Sequence, residues 1–278
     1  MKHIAVFGCG WFGLPLAQAL QQQDFQVKGS KTTEDGVAAL TAAGIDGVLL
    51  NLPGAEPLPA TLLAGCDGLV VNIPPGLRHG NDDLLLQKLS RLTDAVTQSA
   101  LQRVIFISST GAYSQTSGVL AEQDLTVAKE GSCAMLQQAE QLFLQLASNT
   151  LQVTVLRFAG LVGPGRHPGR FMAGRCELSG ANQPVNLVHL NDCIAAVMAV
   201  LRADNPGEVY NLCAPFTMDK KTFYGLSATQ LGLPLPQFQP VSRHDPSGKK
   251  IDGSLICREL GFHYQHADAY ALLPACAG

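Results

Sequence analysis

The order of apolar and polar positions changes regularly along the first part of the chain. Short apolar runs alternate with longer stretches in which apolar residues recur every three or four positions. The runs predict strands at residues 4–7, 25–29, 47–50, 68–72 and 103–108, and the stretches predict helices at 14–20, 33–43, 82–100 and 132–147. Because neighbouring parallel strands need a crossover, usually a helix, this α/β order predicts a doubly wound parallel sheet that binds ligands at the carboxyl ends of its strands.

Proline and glycine interrupt this regularity in the second half of the chain. Residues 160–184 have the composition of a loop, and from residue 204 onward we expect short strands and turns. The chain has 278 residues, 46% of them hydrophobic, which is enough to form a large core. We therefore predict a main domain that contains the sheet, formed by residues 1–160 plus about 184–204, and a smaller C-terminal substrate lobe of residues 161–183 and 205–278.

A glycine loop follows the first predicted strand and precedes the first predicted helix. Gly8, Gly10 and Gly13 have the G-x-G-x-x-G spacing, with Trp11 and Phe12 between the last two. In a Rossmann-type fold these glycines permit a tight turn, leave room for a pyrophosphate and let the helix pack on the strand. The loop therefore predicts an NAD(P)-binding site, and the alternative is a glycine-rich turn with no ligand.

The residues after the second strand bear on which coenzyme is bound. An acidic residue there is typical of NAD sites, whereas cations and hydroxyls suit the 2′-phosphate of NADP. Ser30, Lys31 and Thr32 occupy this place, and Glu34 and Asp35 come later, where the helix dipole also explains them. The sequence favours NADP(H) over NAD(H), unless Lys31 is only a solvated lysine in a polar turn.

Charge, hydropathy and cysteine content exclude several functional classes. The net charge is −3 with 15% charged residues, so no basic surface for nucleic acid is expected. No apolar stretch reaches the ~18 residues of a membrane span, and the N-terminus enters a strand after one lysine. The eight cysteines form no C-x-x-C pair and are expected to be mostly buried. We expect a soluble, cytoplasmic protein without a metal site.

Four segments resemble the extended short-chain dehydrogenase/reductase family, also described as the NAD-dependent epimerase/dehydratase family. They are residues 104–113, 156–166, 186–192 and 207–212. The resemblance covers almost the whole chain. It implies a seven-stranded coenzyme domain, a smaller C-terminal lobe that often takes nucleotide sugars, and frequent homodimers. Residues 132–147 could supply a dimer face, although their apolar stripe would equally suit packing on their own sheet.

The chain departs from this family at two catalytic positions. The family has a Tyr as acid/base and, four residues later, a Lys that lowers the tyrosine pKa and holds the ribose. The matching residues are Ser132 and Leu136, and no Tyr-x-x-x-Lys occurs in the chain. Leu136 lies in an apolar helical stripe, which predicts a packing role. Since a positioned acid/base contributes ~10²- to 10⁴-fold to a rate, the usual chemistry must be weak or use other groups.

A short set of residues remains as candidates for chemistry and substrate binding. Ser109 matches the family's active-site hydroxyl but could simply cap the strand end, and Tyr113 is a possible substitute acid whose family counterpart is structural. Arg166, His167 and Arg170 form a cationic loop suited to a phosphate or carboxylate, unless the arginines are merely solvated.

Three residues at or just after strand ends complete the predicted coenzyme site, and three histidines are expected to have no role in chemistry. The coenzyme residues are Asn72, Pro74 and Ser108. His189 precedes a helix start and is expected to be packed or to neighbour the cap, and His263 and His266 are expected on the surface rather than on a metal.

Two functions fit these features. The first is an NADP-dependent oxidoreductase or epimerase/dehydratase-like enzyme that acts on a small anionic or nucleotide-linked substrate, oriented by Ser109 and the loop of Arg166 and Arg170. The second is a non-catalytic NADP(H)-binding sensor or regulatory protein, which the missing Tyr and Lys favour. In both cases a small-molecule ligand is expected, without nucleic acid or membrane partners.

Overall fold

The computed structural model describes residues 1–52, 56–73, 82–242 and 247–277, so Pro74 lies outside the described residues. The chain forms two compact units. The first, here called the coenzyme unit, comprises Met1–Ala112, Val127–Arg157 and Val197–Val209. The second, the C-terminal unit, comprises Tyr113–Thr126, Phe158–Ala196 and Tyr210–Gly278. These bounds place residues 113–126 and 184–196, which were predicted in the first domain, in the C-terminal unit.

A mostly parallel seven-stranded sheet forms the centre of the fold among the described residues, as a Rossmann-like α/β protein requires. In chain order its strands are β1 (His3–Phe7), β2 (Gln26–Lys31), β3 (Asp46–Leu49), β4 (Gly68–Val71), β5 (Arg103–Ser109), β7 (Gln152–Phe158) and β10 (Val209–Leu212). Their order across the sheet is β10-β7-β5-β4-β1-β2-β3. The predicted doubly wound α/β fold is therefore confirmed.

Helices cover the strands of the coenzyme unit. They are α1 (Gly13–Gln21), α2 (Glu34–Ala42), α3 (Asp82–Thr97) and α4 (Gly131–Leu144). The central strands are buried on both faces, which is why they read as continuous apolar runs: Ile4, Val6, Leu69 and Val70 have no exposed surface. The chain order reverses between β1 and β4, so the carboxyl ends of these strands border the crevice where such sheets bind ligands.

The C-terminal unit contains two small parallel sheets. One pairs β6 (Gly118–Leu120) with β11 (Lys249–Ile251), and the other pairs β8 (Gly160–Val162) with β9 (Leu187–His189). Its helices are α5 (Gly169–Met172), α7 (Lys220–Gln230), α8 (Leu255–Leu260) and α9 (Ala269–Ala275), while α6 (Leu190–Arg202) has residues in both units.

The prediction of only strands and turns after residue 204 was wrong, because α7, α8 and α9 lie there. Two of these helices begin with an aspartate cap: Asp219 accepts a hydrogen bond from the Thr222 N–H, and Asp268 accepts from the N–H groups of Tyr270 and Ala271. A buried cluster that includes Phe223 and Leu272 joins α7 to α9. No helix in the described ranges combines the length and the apolar character needed to cross a membrane.

Candidate functional site

Two glycines of the loop between β1 and α1 are required by close backbone contacts. Gly8 has φ +98°, and a Cβ placed on it would lie 2.0 Å from the Asn72 carbonyl oxygen. A Cβ on Gly13 would lie 2.2 Å from the Gly8 carbonyl oxygen. Since no side chain fits at these distances, both glycines allow the tight turn and the close approach of α1 to the strands.

Gly10 differs because a Cβ there would meet nothing within 4 Å. The loop therefore leaves open space at Gly10 between two tightly packed positions, while the Gly10 N–H donates to the Gly8 carbonyl oxygen at 2.7 Å. Helix α1 begins three residues later, and the positive end of a helix attracts anions; here the Leu14 N–H donates to the Gly10 carbonyl oxygen at 3.1 Å and Pro15 has no N–H, so this attraction comes from the helix dipole. A pyrophosphate fits this cradle. Trp11 is partly exposed, whereas Phe12 is 3% exposed, so Phe12 can offer a ligand only its backbone.

Polar side chains hold the loop from the two neighbouring strands. The Gly8 N–H donates to Ser30 Oγ at 2.9 Å, and Asn72 Nδ2 donates to the Gly8 carbonyl oxygen at 3.1 Å. Ser30 is 4% exposed, so its hydroxyl shapes the loop from inside. Cys9 follows Gly8 in this loop. Burial raises the pKa of its thiol to about 11, although a backbone hydrogen bond with Ser30 and the charge of Lys31 act to lower it.

The end of β2 carries a cation and hydroxyls. Lys31 is partly exposed, and a Cβ on Gly36 would lie 3.0 Å from the Lys31 Cβ and Cγ, so the stem of Lys31 passes beside the first turn of α2. Thr32 is exposed. Thr33 caps α2 by accepting the Gly36 N–H at 3.2 Å. Glu34 and Asp35 are exposed in that turn, where the helix dipole stabilises them.

A buried ion pair lies at the end of β5. Ser108 Oγ donates to Glu140 Oε1 at 2.5 Å, and Arg157 donates to the same carboxylate through Nε at 3.0 Å and Nη2 at 2.8 Å. The exposed fractions of Ser108, Glu140 and Arg157 are 7%, 1% and 3%. Sequence reasoning missed this network. Its signal was a carboxylate inside the apolar stripe of α4, beside Ala139 and Phe143.

Ser109 and Leu136 lie close together at the same strand end. Ser109 Oγ accepts the Gly111 N–H at 3.0 Å, which matches the capping alternative. A Cβ on Gly111 would lie 3.3 Å from both Ser109 Oγ and Leu136 Cδ1. Leu136 is 5% exposed, so its predicted packing role is confirmed, and Ser132 is exposed one turn earlier on α4.

Tyr113 belongs to the C-terminal unit and is 1% exposed. Its hydroxyl lies 2.9 Å from the Ala121 carbonyl oxygen and 2.9 Å from Asn211 Oδ1. Asn211 is itself fully buried and donates to the Asp252 carbonyl oxygen at 3.1 Å. This arrangement favours the structural role that the family resemblance implies for Tyr113 over a role as a substitute acid.

The cationic loop of the C-terminal unit divides into surface and interior residues. Arg166 and Arg170 are exposed. His167 is 4% exposed, its Nδ1 accepts the Gly169 N–H at 3.0 Å, and burial lowers its pKa. Two arginines can therefore meet an anion from solvent, whereas the His167 ring supports the loop from within.

Three further histidines singled out in the sequence belong to the C-terminal unit, and two of them are in contact. His189 is 1% exposed and its Nδ1 accepts the Asn191 N–H at 3.1 Å, which confirms the prediction that it neighbours a helix start. His266 is partly exposed and its ring lies 4.0 Å from that of His189, while His263 is exposed. Within the described ranges, no three His, Cys, Asp or Glu side chains form a metal-binding group.

The fold and the loop together define a dinucleotide-binding α/β protein, and known proteins agree. The pattern of the NAD(P)H-binding family matches residues 8–189, and the chain belongs to that family. Over 274 residues it is 41% identical to Protein YeeZ of Escherichia coli strain K12, covering 96% of this chain and 97% of YeeZ.

Solved structures of the NAD-dependent epimerase/dehydratase family share the fold. MoeE5 in complex with UDP-glucose and NAD has a TM-score of 0.79 at 20% identity, covering 99% of this chain and 97% of MoeE5. UDP-glucuronic acid 4-epimerase from Bacillus cereus in complex with NAD has a TM-score of 0.79 at 18% identity, covering 99% and 94%. At this identity the likeness establishes the architecture, and the predicted family resemblance is confirmed.

Proposed function

We propose that this protein is an NADP(H)-dependent enzyme of atypical short-chain dehydrogenase/reductase architecture, working in the cytoplasm on a small anionic or nucleotide-linked substrate. The observation that carries the proposal is the open space at Gly10, which lies between the packed positions Gly8 and Gly13. The coenzyme would be held by this loop, by Lys31 and Thr32 at the end of β2, and by the strand ends at Asn72 and Ser109. When bound, it supplies hydride transfer.

The preference for NADP(H) rests on charge at the end of β2. An exposed hydroxyl at Thr32 and the cation of Lys31 suit a 2′-phosphate, and the nearest carboxylates, Glu34 and Asp35, already stabilise the start of α2. A hydrogen bond to a charged group contributes about 1.5 to 3 kcal/mol, so the Lys31 contact accounts for about one to two decades of affinity.

This preference is tested by isothermal calorimetry on the wild-type and Lys31→Ala proteins. We expect wild type to bind NADPH more tightly than NADH, and Lys31→Ala to lose about 10- to 100-fold in NADPH affinity while its NADH affinity is unchanged. Lys28→Ala, three residues earlier in β2, is the matched control and should retain both affinities. Equal affinities of wild type for the two coenzymes would contradict the preference.

For catalysis, Ser109 offers a hydroxyl at the β5 end and Arg166 and Arg170 offer exposed cations. Neither Ser132 nor Leu136 can act as the family's acid/base, so a substrate that needs strong proton transfer should react slowly.

Activity is tested by following the absorbance of protein-bound NADPH while aldehydes, ketones and nucleotide sugars are added. We expect at least one anionic or nucleotide-linked compound to oxidise NADPH faster than buffer does, and the Ser109→Ala protein to lose about 10²-fold of that rate. If no compound does so, hydride transfer to these classes is excluded.

A second candidate is a non-catalytic NADP(H) sensor. It is favoured by the burial of Leu136 and of the Tyr113 hydroxyl, which leave the β5 end without the family's proton relay. Such a protein should lose NADPH affinity in the Lys31→Ala variant as the enzyme would, but none of the added compounds should speed the oxidation of its bound NADPH.

A further inference from the structure

The ion pair at the end of β5 joins three elements at one place. Ser108 is in β5, Arg157 is in the adjacent strand β7, and Glu140 is on α4. Ser108 and Arg157 lie near the carboxyl ends of their strands, and Glu140 lies in the helix that follows β5. The carboxylate thus links β5, β7 and α4 to one another through charged hydrogen bonds.

Stability alone gives a weak reason for this arrangement. A buried ion pair costs desolvation that its attraction repays only with good geometry, and apolar replacements are often as stable. A buried charged network is better suited to fixing a position, because its directional bonds hold only one arrangement of the groups. In this chain the position fixed is the end of β5 and the turn of α4 that carries Leu136.

The order of the sheet tells which half of a dinucleotide would meet this position. With the pyrophosphate at the start of α1, the adenosine half extends over β2 on one side of β1. The other half extends over β4 and β5 on the opposite side, where Ser109, Gly111 and Leu136 form the strand end. The ion pair lies directly beneath that end, through Ser108.

We propose that Glu140 is a positioning residue for the nicotinamide half of the coenzyme. It acts through Ser108 and α4, and it touches neither the coenzyme nor a reacting atom. The proposal rests on the proposed function, because it requires that a dinucleotide binds.

The test compares a whole coenzyme with its adenosine half by calorimetry. The ligands are NADPH and adenosine 2′,5′-bisphosphate, and the main variant is Glu140→Gln with Arg157→Gln, which avoids leaving a buried arginine unpaired. We expect the variant to lose about tenfold in NADPH affinity and to keep its affinity for the adenosine half. Ser108→Ala, which removes one hydroxyl and leaves the ion pair, should show the same split.

Arg103→Lys is the matched control. Arg103 is buried at the opposite end of β5, where Nη1 donates to the carbonyl oxygens of Val200 and Ala203 at 2.6 and 2.7 Å. This variant should lower the melting temperature and change neither affinity, which separates general loss of stability from positioning.

The outcomes separate the proposal from the function beneath it. If wild type binds neither ligand, the proposed coenzyme function fails. If the double variant loses both affinities equally, or keeps both, the ion pair has only a structural role. If Ser108→Ala alone weakens NADPH, Ser108 contacts the coenzyme directly and the positioning role of Glu140 is wrong. Should the double variant not fold, Glu140→Gln alone replaces it, because its amide oxygen still accepts from Ser108 and Arg157, and the same split or its absence decides.

Discussion

At the scale of single residues, one methyl group has opposite consequences at neighbouring positions of the glycine loop. Gly13 already contacts backbone, whereas Gly10 faces open space. Fold and binding therefore depend on different glycines, although the sequence motif treats them alike. This difference can be measured because each substitution adds the same atoms.

We expect Gly13→Ala to destabilise the protein by about 3 kcal/mol or more, because the new Cβ would lie 2.2 Å from the Gly8 carbonyl oxygen. Gly10→Ala should leave stability nearly unchanged and weaken NADPH about tenfold, since its methyl group would occupy the space that the pyrophosphate needs. Urea denaturation and calorimetry measure the two effects. Loss of stability without loss of binding in Gly10→Ala would mean that the loop is not the phosphate site.

At the scale of elements, the coenzyme unit was predictable because its signals are local. The helix predicted at 33–43 is Glu34–Ala42, since the Thr33 cap and the apolar spacing lie within it, and the strand predicted at 103–108 is Arg103–Ser109. Helix α7 escaped prediction because few of its 11 residues are apolar and it depends on packing of Phe223 within the C-terminal unit, and α9 escaped because it has only seven residues and depends on packing of Leu272.

The same contrast applies to the candidate site. The glycine loop is contiguous, so spacing reveals it. The contacts of Glu140 with Arg157 and Ser108 span 17 and 32 residues of chain, and no spacing rule connects them. The inward position of His167 was also beyond the sequence, because a histidine between a loop arginine and a proline gives no periodic signal.

At the scale of the whole molecule, buried histidines make stability depend on pH. Burial, followed by the charge of His266, lowers the pKa of His189 from 6.5 to about 4. The unfolded chain therefore binds a proton below pH 6.5 that the folded chain refuses, and stability falls as pH decreases through this window. Burial also lowers the pKa of His167, which adds to this loss of stability at low pH. Burial raises the pKa of Asp192, which instead makes the folded protein more stable as pH decreases.

We expect His189 to account for a loss of about 3 kcal/mol of unfolding free energy between pH 6.5 and about 4. Urea denaturation across this window measures the loss. His189→Gln should flatten the pH dependence, and His263→Gln, at an exposed position, should leave it unchanged. An unchanged slope in His189→Gln would show that another group is responsible.

The buried thiol of Cys9 sits inside the loop that would receive the coenzyme's phosphates. With its pKa near 11, roughly one molecule in ten thousand carries the reactive thiolate at neutral pH, so peroxide and alkylating agents should pass it by. The thiol inside the cradle is thus a poor target for oxidants. Oxidants would meet the exposed thiol of Cys176 in the C-terminal unit first and leave the cysteine of the loop unmodified.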